Sequence, residues 1–135
     1  MPSGLSALSL KSADVANTRQ LLGREGEKIA ERYLKKKGYK LVERNYRCLS
    51  GEVDLIVLDR RVIVFVEVKT RSDDRFGTPF EAVEARKQQK MIRAAQFFLH
   101  AKGLQQREAR FDVVGVSWPG RQPVVEHIEN AFELF

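Results

Sequence analysis

Residues 51–69 read GEVDLIVLDRRVIVFVEVK. Glu52 to about Asp59 and Val62 to Lys69 are apolar, β-branched runs, and the polar Asp59-Arg60-Arg61 between them predicts two antiparallel strands. Successive side chains of a strand point to opposite faces, so Glu67 and Lys69 share a face about 6.7 Å apart, with Val66 and Val68 on the other. A two-residue loop at Arg60-Arg61 pairs Asp59 with Val62 and sets Asp54 directly opposite Glu67. A loop at Asp59-Arg60 leaves Asp54 diagonal to Glu67 on the same face, whereas a three-residue loop breaks the juxtaposition.

Upstream, Leu22, Gly26, Ile29, Ala30, Tyr33 and Leu34 form one stripe at helical spacing, with Glu27 at its border. This helix, from about Leu21, stops at Gly38 after Lys35-Lys36-Lys37. Tyr39 to Arg47 reads as a further strand. Downstream, Thr78-Pro79-Phe80-Glu81 has capping-box spacing with proline at the first helical position. The helix it opens runs to about Ala101, with Phe80, Val83, Met91, Ala94, Ala95 and Phe98 on one face. Glu84 and Lys87 also fall in that stripe and leave room for a break near Ala85. Strands at Phe111 to Trp118 and Val124 to Ile128 complete the order α-β-β-β-α-β-β. The reading is one α/β domain over residues 19–135, a central mixed sheet flanked by helices, behind a flexible segment at residues 1–18.

The composition fits one domain. There are 135 residues, 43% hydrophobic and 31% charged, enough apolar material for a core. The single cysteine, Cys48, excludes an intramolecular disulfide and a multi-thiolate zinc site. No apolar run has the roughly 18 to 20 residues needed to cross a bilayer, and the first ten residues hold no Lys or Arg, so a cytoplasmic chain is expected. The 24 Lys and Arg against 18 Asp and Glu give a net charge of +6, which favours polyanionic partners. That excess is local: residues 19–47 hold ten basic and four acidic side chains, and residues 48–135 hold thirteen of each. Arg24, Lys28, Arg32, Arg44 and Arg47 in this window, with Arg71 and Lys87 nearer the hairpin, are the candidate phosphate contacts. A solvated helix face is the alternative. A membrane-binding helix would need bulky apolar anchors, and the glycines and alanine of the stripe suit packing against a sheet instead.

Two carboxylates closing on a half-buried sheet repel one another and lose hydration, and a divalent cation relieves both. Mg²⁺, or Mn²⁺ in its place, takes carboxylate oxygens, keeps waters and accepts phosphate oxygens. Asp54, Glu67 and Lys69 therefore supply the parts for metal-assisted phosphodiester hydrolysis, and a surface pair of Glu67 with Lys69 is the plain alternative. Glu52 shares the face of Asp54 and either assists or starts a strand at the surface. Lys87 and Gln88 read first as part of a solvated basic turn with Arg86, Lys90 and Arg93, with reach to the site as the other option. Asp112 reads as a hydrogen-bonding strand residue, with a supporting role in the site as the alternative. His100 and His127 lack ligand spacing, and Trp118 reads as a core or turn aromatic.

The motifs Gly23-x-x-Gly26-Glu27, Gly51-Glu52-Val53-Asp54-Leu55-Ile56, Phe65-Val66-Glu67-Val68-Lys69-x-Arg71, Phe76-Gly77-x-Pro79 and Phe111-Asp112-Val113-Val114 resemble the bacterial YraN-like family. That uncharacterised family is placed in the restriction-endonuclease-like PD-(D/E)XK superfamily, near the archaeal Holliday junction resolvases. The resemblance implies a nuclease-like fold in which Asp54, Glu67 and the Val68 carbonyl hold the metal, Lys69 is the catalytic lysine and Glu27 completes the site from the first helix. Val53 stands where the superfamily often has proline, at a position that holds no ligand. The resolvase likeness implies branched or structured DNA rather than RNA as substrate, and a homodimer as assembly. A non-catalytic nucleic-acid-binding module that keeps this fold is the competing expectation.

Overall fold

The computed structural model describes residues 12–71 and 85–132, and side chains from residue 20 onward within that span. Seven elements follow in order: α1 (Ser12–Lys36), β1 (Lys40–Cys48), β2 (Gly51–Asp59), β3 (Val62–Arg71), α2 (Ala85–Ala101), β4 (Ala109–Ser117) and β5 (Val124–Phe132). The strands form one sheet in the order β1-β2-β3-β4-β5. β3 and β4 run parallel across the α2 connection and the remaining pairs are antiparallel, so the sheet is mixed as expected.

Alternation along the strands divides the core into two layers. Leu55, Val57, Val64, Val66, Val114 and Val116 face α1, where they pack with Ala30, Leu34 and Tyr39. Ile56, Ile63, Phe65 and Phe111 face α2, against Met91, Ala94, Ala95 and Phe98. Both faces of β3 are buried, which explains its unbroken apolar run Val62 to Val66. Trp118 packs at the rim of the α1 layer and Cys48 at the rim of the α2 layer.

The β2–β3 register settles the loop. Asp59 pairs with Val62 and Leu55 with Val66, so the turn is the two-residue Arg60-Arg61, with Arg60 at φ 59° as a tight hairpin requires. Gly38 follows the end of α1, where the Tyr39 N–H donates to the Leu34 carbonyl at 3.0 Å. Against expectation, α1 begins at Ser12 rather than near Leu21. The stretch before Leu21 shows no sustained apolar period, so periodicity gave no sign of helix there. The capping box at Thr78 and the motif Phe76-Gly77-x-Pro79 lie outside the described residues, which resume at Ala85, where the break was considered. Among the described residues no helix is long and apolar enough to cross a membrane.

Candidate active site

The β2–β3 ladder runs from the hairpin to Leu55 and Val66, and the two carboxylates lie just beyond it. There the Asp54 side chain takes over from the backbone: its Oδ2 accepts the Val68 N–H at 2.8 Å. Asp54 and Glu67 hydrogen-bond to one another, and Glu67 is almost fully buried at 3% exposure. Burial raises both carboxyls above their ordinary values, and the charge of Asp54 adds to the rise at Glu67, which reaches about 7.

Lys87 approaches from α2 and its ammonium forms an ion pair with Glu67. Lys87 thus has the reach to the site that is the second of its two readings, while about half of its side chain stays exposed. The signal was in the sequence, because Lys87 falls in the stripe of Met91, Ala94 and Phe98 and so faces the sheet. Lys69 is half-buried on the Glu67 face of β3, beside Gly115 of β4. Val68, expected to offer its carbonyl, meets the pair through its N–H.

Glu27 reaches this end of the sheet because α1 packs closely there. A Cβ at Gly26 would lie 1.9 Å from Cγ2 of Thr70, so only glycine lets the helix sit this near β3. Burial, and then the charge of Asp54, raise the Glu27 carboxyl, while a hydrogen bond from Asn45 lowers it. Glu27 thus shares the field of the pair. Among the described residues, however, no three His, Cys, Asp or Glu side chains converge closely enough to hold a metal ion together. The donor set is the two carboxylates, with Glu52 exposed at the start of β2 and adding negative charge near both Asp54 and Glu27.

The basic window of α1 and β1 is partly committed to nearby acids. Arg44 binds Glu31 through Nε and Nη2 at 2.8 Å each, and Lys35 joins at 2.8 Å. The Arg44 hydrogen bond holds Glu31 down at about 2. Arg32 lies 3.9 Å from Glu25, and Arg47 3.9 Å from Glu52. Arg24 and Lys28 project exposed from the helix, and Arg71 closes β3.

One cluster was underweighted by sequence reasoning. Asp112, fully buried on β4, accepts from Arg110 at 3.0 and 3.2 Å, from His127 Nε2 at 2.8 Å and from the Asn130 N–H at 3.0 Å. Lys37 donates to His127 Nδ1 at 2.9 Å, which places the ring proton on Nε2, facing Asp112. Arg110 also reaches Asp59 at 2.9 Å and the Tyr39 hydroxyl at 2.7 Å. Burial alone would raise Asp112, but these donors outweigh it and hold the carboxyl below its ordinary value. Asp112 is neighbour to Val66 in the parallel ladder, and its network ties β4 and β5 to the end of α1. It is a structural junction, which bears out the hydrogen-bonding role read from sequence.

A pH dependence follows from the raised pair. Below about pH 4.5 Glu67 is protonated in both folded and unfolded chains; as pH rises toward 7 the unfolded chain loses that proton first, so stability falls, and the loss is complete above 7. Without divalent ions, urea unfolding of the wild type should show a decline on the order of 3 kcal/mol across this window. Glu67→Gln should flatten it, and parallel profiles would contradict the buried pair.

A model of the uncharacterised protein family UPF0102 matches residues 26–116. A UPF0102 protein of Caldanaerobacter subterraneus is 46% identical over 117 residues, covering 84% of this chain and 96% of its own length. One from Desulfosudis oleivorans is 48% identical over 117 residues, covering 87% and 94%. Among solved structures, Pyrococcus furiosus SfsA in complex with Ca²⁺ aligns with 82% of this chain and 63% of that one, at 15% identity and a TM-score of 0.39.

Proposed function

Because the chain belongs to the UPF0102 family, the YraN-like group that its motifs resemble, and carries a buried carboxylate beside a half-buried one on β3 and β2, we propose that it is a metal-dependent endonuclease. Its substrate would be nucleic acid, with branched or structured DNA as the first candidate. The pairing of Asp54 with Glu67 carries this reading. Drawing two adjacent carboxylates out of water opposes folding, and a fold that retains them gains from a cation between them. Their hard oxygen donors suit Mg²⁺ or Mn²⁺, which needs only one or two carboxylates beside water and phosphate. A cation held there supplies Lewis-acid polarisation of a phosphoryl oxygen and favours ionisation of water.

The chain's own residues do the rest in this proposal. Asp54, fixed by the Val68 N–H, orients the pair. Lys69, on the same face as Glu67, stabilises charge that develops at phosphorus. Lys87 and Glu27 flank the pair and tune its field.

One observation favours the rival reading of a binding module without catalysis: Lys87 already compensates the charge of Glu67, and among the described residues two rather than three donors converge. Calorimetric titration with Mn²⁺ separates the two. Binding at one site that is lost in Asp54→Asn supports the enzyme; heats that are absent, or identical in Asp54→Asn, support the binding module.

A further inference from the structure

On α1, Lys35 and Arg32 face acidic partners, as Arg44 of β1 does. On α2, Arg86 and Lys90 are exposed, four residues apart and so neighbours on the helix surface, and among the described residues neither has a salt-bridge partner. Like charges at this spacing oppose helix formation. An arrangement that works against the helix is the kind retained for a ligand.

Arg86, Lys87 and Lys90 line a cavity of about 300 Å³ together with Glu52. Its wall is fixed by close contact between hairpin and helix: a Cβ on Gly51 would lie 2.4 Å from the Lys90 carbonyl oxygen, so the start of β2 is pressed onto α2. Lys87 joins the cavity to the catalytic pair, since the side chain that lines it ends on Glu67. A planar guanidinium beside a mobile ammonium suits a tetrahedral anion, which the fork of Arg86 grips while Lys90 adds charge.

We propose that this cavity between β2 and α2 is a phosphate site, in which Arg86 and Lys90 hold the nucleic-acid phosphate that adjoins the one facing Asp54 and Glu67. The inference rests on the phosphodiesterase reading for its choice of ligand. It puts a backbone contact on the α2 side of the sheet, across from the basic window of α1, so the carboxylate pair lies between two anchoring surfaces.

The test uses the full chain, a fluorescein-labelled DNA junction and EDTA, with anisotropy followed between 50 and 200 mM salt. Arg86→Gln/Lys90→Gln is compared with Arg60→Gln/Arg61→Gln, two equally exposed cations at the far hairpin, and thermal unfolding verifies that both variants fold. The first pair should weaken binding about tenfold at 50 mM salt and make the slope of log K against log salt shallower by roughly one, the counterion release of a single phosphate. The hairpin pair should change affinity less than twofold. Equal losses in the two variants, no loss in the first, or a wild type that binds no DNA would each overturn the proposal. Inorganic phosphate provides the other arm: backbone amide shifts at Arg86 and Lys90 on its addition, with DNA affinity unchanged in the double variant, would assign the site to free phosphate and overturn the nucleic-acid claim. No step requires hydrolysis. An inert protein that binds through Arg86 and Lys90 removes the nuclease reading and keeps the site, and an active protein whose double variant binds normally does the reverse.

Discussion

Asp112→Ala is expected to destabilise the protein by about 3 to 5 kcal/mol, the range for breaking a buried charge network by removing one partner. Asp112 is fully buried and accepts four hydrogen bonds from three residues. One of them comes from the Asn130 N–H, which a bulge in β5 frees: the register shifts between Phe111 and Val113, and Asn130 takes φ 53°. Alanine would leave that N–H, His127 Nε2 and much of the Arg110 guanidinium facing an apolar wall. The loss should appear in urea unfolding as a lower midpoint with an unchanged slope. Asp112→Asn keeps the shape and one acceptor and should lose less. A change below 1 kcal/mol for alanine would show that the network is dispensable.

Asp54→Ala and Glu67→Ala should each lower nucleic-acid hydrolysis about a thousandfold or more, roughly 4 kcal/mol of transition-state stabilisation. Both should leave junction binding within a few fold. The pair is recessed and acidic and contributes repulsion rather than attraction to a polyanion, so binding must come from the cations around it. Folding should survive too, since either change relieves the mutual repulsion, and the Lys87 side chain, about half exposed, keeps water when its partner goes. Single-turnover cleavage and anisotropy on the same preparations separate the two effects. Parallel loss of binding and cleavage would point to collapse of the sheet end.

The sheet could be read from the sequence because its side chains obey one period. Val62 to Val66 is apolar on both faces, and the charges at Glu67 and Lys69 mark where burial ends. The sequence leaves the hairpin loop open, because Asp59, Arg60 and Arg61 are all polar and only the backbone chooses Arg60-Arg61. Asp54 and Glu67 were found by pairing strands, a local operation. Lys87 was underweighted because its partner lies twenty positions away on another element, and only helix packing brings it home. The network of Arg110, Asp112 and His127 escaped for the same reason: a bulge that puts Asn130 against Asp112 has no signature in composition or period. The charge excess in residues 19–47 was visible as a sum, whereas its partial neutralisation by Glu31 and Glu25 depends on which side chains meet.

The central claim, that Asp54 and Glu67 form a metal-dependent hydrolytic centre, is tested most directly by incubating the wild type and Glu67→Ala side by side with labelled DNA junctions, flaps, single strands and structured RNA, in Mg²⁺, Mn²⁺ or EDTA. Cleavage of at least one DNA substrate by the wild type, abolished by EDTA and by Glu67→Ala, is the predicted result. A wild type that leaves every substrate whole in both metals, or cleavage that persists in Glu67→Ala, would contradict it.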